Sequence, residues 1–329
     1  MVRVPGLIVI GAARSGTTAL YEQLRQHPQI FLSSSKEANY FAFEGEPLDY
    51  RGPGADFVNN SVATWDDYLN LFADAPSDAV VGDISPLYLY APKAAERIRA
   101  RLPDAKLVAI LRNPIEQAFS HFQYARAWTI EPLESFDAAL DAEPQRLRDH
   151  WQPLFQYSDF PRYAEQIRRF QAQFPPSQLK IFLYEDYRAD PHGVLREIFE
   201  FVGVDADFVP TLDPRTNMGG DPRSPLLQSI IMRPNLLGSL AAVFLPQALR
   251  RRIRDRLSRL NVVRADLSPS ARERLAAKLR PEILDLQGLL GRDLSMWLEL
   301  DRDRSPPTRG TNFELEPAQP ASPAPAGNA

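Results

Sequence analysis

The chain contains no cysteine. That excludes disulfides, thiol catalysis and Cys-bound zinc, and it suits a reducing compartment. Histidine is scarce too, four in 329 residues. None falls in an H-E-x-x-H or other paired spacing, so no metal site is expected. No apolar run reaches membrane-spanning length; the longest patch, Leu236–Leu245, is short and interrupted. Met1–Pro5 leads straight into the first apolar run with no signal-peptide pattern, and the expected location is cytoplasmic. There is no excess of positive charge: the net charge of −4 does not draw the chain to nucleic acid. There is no internal repeat.

What is present is ordinary globular material, 44% hydrophobic and 24% charged, organised around one stretch, LIVIGAARSGTTALY at Leu7–Tyr21. Leu7–Ile10 has the length of a buried strand. Leu20, Tyr21 and Leu24 then recur at helical spacing until Pro28. Between them lies the small-residue turn Gly11–Thr18. A strand, a small-residue loop and a helix N-terminus together present backbone N–H groups and a positive dipole end to an anion. The pattern G-x-x-x-x-G-K-[ST] is met at Gly11, Gly16 and Thr18, but Thr17 stands where a nucleoside-triphosphate site needs Lys, and the one long cation is Arg14. On its own this loop reads equally well as an anion cradle or as a turn that closes a strand–helix unit.

Further strands are expected at Ile30–Leu32, Ala79–Asp83, Lys106–Leu111 and Lys180–Tyr184. Helices are expected over Trp65–Phe72, Pro92–Leu102, Pro114–Arg126, Tyr163–Phe174 and Pro191–Val202, with Gly203 as the stop. A long loop is expected over 44–64, and helices and loops covering a cleft over 129–160. This alternation predicts an α/β fold with a central parallel sheet flanked by helices, whose ligands sit beyond the strand C-termini. Gly11–Thr18, Lys36 with Glu37, Asp83 and Arg112 are all expected at such strand ends. Residues 226–302 are expected to form a helical C-terminal part: Arg-rich over Leu226–Leu260, then a helix Ser270–Leu290 capped by Ser268-Pro269. The arginines from Arg250 to Arg259 read as a solvated face, or as a dock for an anionic membrane surface or an acidic acceptor. Residues 303–329, rich in Pro, Ala and Ser, are expected to be a disordered tail.

GAARSGTTAL after a strand, SSSKEANYF, GDISPLYL, LVAILRNPIEQAFSHFQ and YEDY resemble the sulfotransferases that use 3′-phosphoadenylyl sulfate (PAPS), in particular the heparan-sulfate and bacterial carbohydrate-type group. The resemblance covers roughly residues 7–204 and continues weakly through LLGRDLSMWL. It implies a P-loop-like fold, a donor-binding domain over 1–225, a sulfuryl donor and no metal. It also implies a role for each motif residue. Gly11–Thr18, including Ser15, Gly16, Thr17 and Thr18, would hold the phosphosulfate, and Arg112 and Ser120 the 3′-phosphate. Glu37 would be the general base, with Lys36 beside it. Arg14 would stand where the family places Lys against the bridging oxygen. Arg223, or else Arg215, in the loop Arg215–Ser224, would close on the nucleotide. The acceptor would be a carbohydrate or small molecule. Two positions depart from the pattern on the acceptor side. Ile84 replaces a Lys before Ser85-Pro86, leaving Asp83 as a candidate acceptor-side carboxylate, and Asn39 replaces a His. His27 reads as structural and His121 as packing or cleft lining. Tyr40, Phe41, Trp128, Trp151 and Tyr157 are candidates for either the acceptor pocket or the core. The competing readings are a P-loop kinase and a non-catalytic nucleotide-binding relative. Thr17 in place of Lys argues against the kinase.

Overall fold

The strand runs pair side by side as one five-stranded sheet, all parallel, in the order β2-β3-β1-β4-β5. These are β1 Leu7–Gly11, β2 Ile30–Leu32, β3 Val80–Ile84, β4 Lys106–Leu111 and β5 Leu179–Leu183. The computed structural model describes residues 3–33, 35–212, 221–222, 262–263 and 266–299. Strands that carry apolar residues at every position can be buried on both faces, and here they are. Ile8 and Ile10 of β1 join one core with Leu107, Ala109 and Leu111 of β4. Leu7 and Val9 join the other with Val108 and Ile110. Register follows from this: Leu7 lies opposite Gly82 on one side and Lys106 on the other.

Helices cover both faces. Helix α1 (Thr17–Leu24) buries Leu20 and Leu24 in the second core, and α7 (Pro114–Ala127) buries Ile115, Ala118, Phe119 and Phe122 in the first. The connections leaving β1 and β4, neighbours in the sheet, therefore go to opposite faces. That divergence is the topological switch point where open α/β sheets hold ligands. The remaining elements are α2 Tyr40–Phe43, α3 Asp56–Asn59, α4 Trp65–Asn70, α5 Leu87–Tyr90, α6 Ala94–Arg101, α8 Phe136–Arg148, α9 Tyr163–Gln171, α10 Tyr184–Ala189, α11 Pro191–Val202 and α12 Pro269–Leu290. Helix α12 starts as its sequence requires, with Ser268 Oγ accepting from Ala271 N at 3.1 Å, and ends at Gly291 with φ +62°. It lays Leu275, Leu279, Ile283 and Leu286 into the first core.

The parallel sheet matches expectation, with differences of detail. The expected loop 44–64 contains α3, and the one-turn helices α2 and α5 and the short α10 were not foreseen. Asp83 lies inside β3 rather than beyond its end, because the strand runs on to Ile84. Residues 221–222 and 262–263 pair antiparallel. Arg215, Arg223, Arg250–Arg259 and the tail 303–329 lie outside the described residues. Among the described residues no helix is long and apolar enough to cross a membrane.

Candidate active site

The turn after β1 is tightly held. A Cβ on Gly11 would fall 2.7 Å from Leu89 Cβ and 3.3 Å from the Pro86 carbonyl, so α5 can approach only a glycine there. Gly16 has φ +88°, and a Cβ on it would meet the rings of Tyr184 and Tyr187 at 3.1 Å. Gly16 is also the N-cap of α1 and brings no side-chain acceptor. The first intrahelical bond runs from Leu20 N to Gly16 O at 3.0 Å. Helix α1 thus opens onto the turn with the amides of its first residues uncapped, the arrangement that attracts an anion.

Strand β4, the residues that follow it and helix α7 are stitched to this turn. Ala12 N donates to Ile110 O at 2.8 Å, Gln117 Nε2 to Ala13 O at 3.1 Å and Arg112 Nη1 to Arg14 O at 3.2 Å. Arg14, with φ +65°, turns its guanidinium back so that Nε lies 3.4 Å from Ser120 Oγ and Cζ lies 4.6 Å over the Tyr124 ring. Burial lowers the Arg14 pKa, Tyr124 opposes that shift, and Arg112 adds to it. Arg112 is itself stacked on Tyr184 at 5.1 Å. Its Nη2 is 3.7 Å from Glu116, a carboxylate that Arg272 of α12 holds more closely, at 2.7 Å.

The third strand end supplies Lys36 and Glu37. Lys36 Nζ donates to Thr18 Oγ1 at 3.1 Å and to Glu37 Oε1 at 2.7 Å, tying this segment to the N-terminus of α1. Glu37 (φ +65°) and Asn39 (φ +54°) both occupy the left-handed region, a conformation that the surroundings must hold in place. Two bonds from the end of β3 do so: Glu37 N to Ile84 O at 3.1 Å and Asn39 N to Ser85 Oγ at 3.2 Å. The Glu37 side chain remains 48% exposed.

Asp83 does not serve as an acceptor-side carboxylate. It is 5% exposed, and three hydroxyls already donate to it: Tyr68 at 2.9 Å, Tyr88 at 2.8 Å and Ser85 at 2.8 Å. Burial raises its pKa and these hydrogen bonds oppose the rise. Asp83 anchors Ser85, which in turn holds Asn39. His27 is structural, placed between Asp205 O and Gln29 N. His121 is 1% exposed, and burial, with Arg14 adding to it, lowers its pKa to about 3. It therefore packs as a neutral ring. Tyr40, Phe41 and Tyr157 are core, at 1% exposure or less, whereas Trp128 is 36% exposed.

The structure thus brings Arg14, Gly16, Thr18, Lys36, Glu37, Arg112 and Ser120 to one rim. Thr17 opens α1 with a buried side chain. Ser15 turns inward: it is fully buried and its amide donates to Ala12 O at 3.2 Å. Three residues of the rim were not singled out from sequence. Gln117 and Tyr124 lie on α7 beside Ser120, Tyr124 one helical turn beyond it, and an i, i+4 reading from Ser120 would have found it. Tyr184, the platform under Arg112, lies in YEDY. Among the described residues no group of three or more His, Asp or Glu side chains could hold a metal ion.

Comparison with known proteins identifies the family. The human bifunctional heparan sulfate N-deacetylase/N-sulfotransferase 3 is 32% identical over 209 residues, covering 61% of this chain and 22% of that protein. The membrane-associated sulfotransferase kil1 of Dictyostelium discoideum is 30% identical over 125 residues, covering 38% of this chain and 24% of that protein. The chain therefore spans about a quarter or less of the length of these relatives. The crystal structure of a sulfotransferase from Alicyclobacillus acidocaldarius superposes with a TM-score of 0.72 at 30% identity, covering 91% of this chain and 100% of the other. Residues 5–208 match the model of the sulfotransferase family. With the family match running from the first strand through α11, the chain belongs to the sulfotransferase family.

Proposed function

We propose that the protein transfers a sulfuryl group from 3′-phosphoadenylyl sulfate to a carbohydrate acceptor. The observation that carries this reading is the meeting of two anion-binding features on one turn. The uncapped N-terminus of α1 lies at one end of it, and Arg112 and Ser120 reach its Arg14 from the strand end and helix next door. A donor with a phosphosulfate at one pole and a 3′-phosphate at the other needs both. The amides of the first turn of α1, with Thr17 and Thr18, would hold the phosphosulfate. Arg112 and Ser120 would hold the 3′-phosphate through charge-assisted hydrogen bonds.

In the transfer, the acceptor O–H or N–H gives its proton to Glu37. The acceptor atom forms the new bond to sulfur, and the sulfur–oxygen bond to the 5′-phosphate breaks. Adenosine 3′,5′-bisphosphate leaves. Arg14 and Lys36 supply fixed positive charge where the leaving oxygen gains negative charge, which is the form of electrostatic stabilisation expected of a preorganised site. Arg14 brings this charge in a planar fork rather than as the point charge of a Lys. The carbohydrate class is supported by likeness to relatives named for heparan sulfate N-sulfotransfer.

The test is calorimetric binding of adenosine 3′,5′-bisphosphate, adenosine 5′-phosphate and ATP with Mg²⁺ to the wild type and to Arg112→Ala. The substitution should weaken the bisphosphate tenfold or more, at least about 1.4 kcal/mol, and leave adenosine 5′-phosphate unchanged. Equal bisphosphate affinity in the two proteins, or a preference for ATP with Mg²⁺, would overturn the reading.

A further inference from the structure

Among the described residues only two Phe, Tyr or Trp side chains are exposed, Phe57 at 49% and Trp128 at 36%. They lie 71 positions apart in the chain, yet they touch edge to face, with ring centroids 5.5 Å apart at 90°. Trp128 also meets Tyr124, with ring centroids 5.8 Å apart, and the Tyr124 ring lies under the Arg14 guanidinium at 4.6 Å. The three rings thus form a continuous ridge from open surface to the cation of the transfer site. Glu37 is close enough to Tyr124 to help raise its pKa, after burial, to about 12.

The ridge is fixed in place. The turn that carries Phe57 packs on the one that follows Trp128: a Cβ on Gly54 would lie 2.8 Å from Ile130 Cγ2. Gln152 Nε2 holds Pro53 O at 2.8 Å, and Ile130 N donates to Ala125 O at 3.0 Å. Exposed aromatic rings that touch each other and run into a reaction centre mark a binding surface rather than scattered surface apolarity. Trp and Tyr supply such contact area at low cost in side-chain freedom.

We infer that Tyr124, Trp128 and Phe57 are the acceptor platform, and that their occupant is an oligosaccharide. It would lie with the C–H face of a pyranose on Trp128 and its reacting group beside Glu37. This rests on the sulfuryl-transfer reading above and assigns the acceptor side of it. The shape selects the class. A small flat acceptor is held in a cleft that buries most of its surface. Here the two touching rings are exposed at the surface, Phe57 at 49% and Trp128 at 36%, suited to a chain whose neighbouring units stay in water.

The test is titration of the whole protein, with and without saturating adenosine 3′,5′-bisphosphate. The ligands are a tetrasaccharide of alternating glucuronic acid and glucosamine, and 2-naphthol. Trp128→Ala and Phe57→Ala should each weaken the tetrasaccharide, the first by tenfold or more. Trp128→Phe should retain affinity within about threefold, a fraction of the 1.4 kcal/mol that a tenfold loss represents. Affinity for the bisphosphate should be unchanged in all three, which keeps this result separate from the donor-site assignment. Three outcomes would overturn the inference: no saturable tetrasaccharide binding by the wild type, equal tetrasaccharide affinity in wild type and Trp128→Ala, or loss of 2-naphthol alone in that variant.

Discussion

Glu37 and Asp83 are the two carboxylates near the acceptor side, and their surroundings give them opposite capacities. Asp83 is sealed in, 5% exposed with three hydroxyls donating to it, so an acceptor cannot reach it. Glu37 is half exposed and makes one ion pair, with Lys36. A general base needs reach first and a free lone pair with it. Glu37→Gln keeps the shape and can still accept from Lys36, but it cannot take the proton. Turnover, followed as production of adenosine 3′,5′-bisphosphate with the tetrasaccharide as acceptor, should fall by ~10²-fold or more. Calorimetric affinity for the bisphosphate should stay within twofold. Full turnover in this variant would remove the base role from Glu37, and the buried Asp83 could not inherit it.

At the scale of elements, α12 acts on the site from behind. Arg272 holds Glu116 at 2.7 Å, while Glu116 stands 3.7 Å from Arg112. A Glu116 released by Arg272 would close on Arg112 and compete with a bound phosphate. Arg272→Ala should therefore weaken bisphosphate binding several-fold while costing the fold ~1 kcal/mol or less, as partly exposed ion pairs do. Adding Glu116→Gln to that variant should restore the affinity; if the double variant stays weak, α12 does not act through Glu116. Nothing in the sequence joined Arg272 to Glu116, which lie 156 positions apart. What was legible was periodic or chemically marked: the five apolar runs, the Ser268 cap of α12, the turn at Gly11–Gly16, and Arg112 ahead of Ser120. The helices α2, α3 and α5 escaped because four residues cannot show a 3.6-residue period. The fate of the aromatics escaped for a different reason. No local pattern around Tyr40, Tyr157 or Trp128 marks core or surface, and tertiary packing decided that the first two are core and the third is exposed.

At the scale of the molecule, the site places a titratable ring in the interior, and the whole fold responds to it. His121 is neutral in the folded state, with its pKa lowered to about 3 from the ordinary 6.5 by burial and by Arg14. The unfolded chain takes up that proton first, so this contribution is fully present above about pH 6.5 and is lost as pH falls toward 3. The slope through that window is about 1.4 kcal/mol per pH unit for the single proton. Asp83 works in the opposite sense. Burial raises its pKa, so the folded state holds that proton to higher pH than the unfolded chain does. Its contribution is present below the unfolded value and is lost as pH rises through the folded one. Comparing the wild type with a His121 variant cancels the Asp83 contribution and isolates the imidazole. Among the described residues the Nδ1 of His121 has no hydrogen-bond partner, and its ring lies 4.8 Å from that of Phe160, so an apolar replacement breaks no bond to them at that nitrogen. Urea unfolding of the wild type, His121→Phe and His121→Leu at half-unit steps from pH 7 to pH 4.5 should give parallel behaviour above pH 6.5. Below it, both variants should lose stability more slowly than the wild type, by one proton's worth of slope. Equal slopes in all three proteins would mean that the ring is protonated in the folded state and that Arg14 tolerates a second cation behind it.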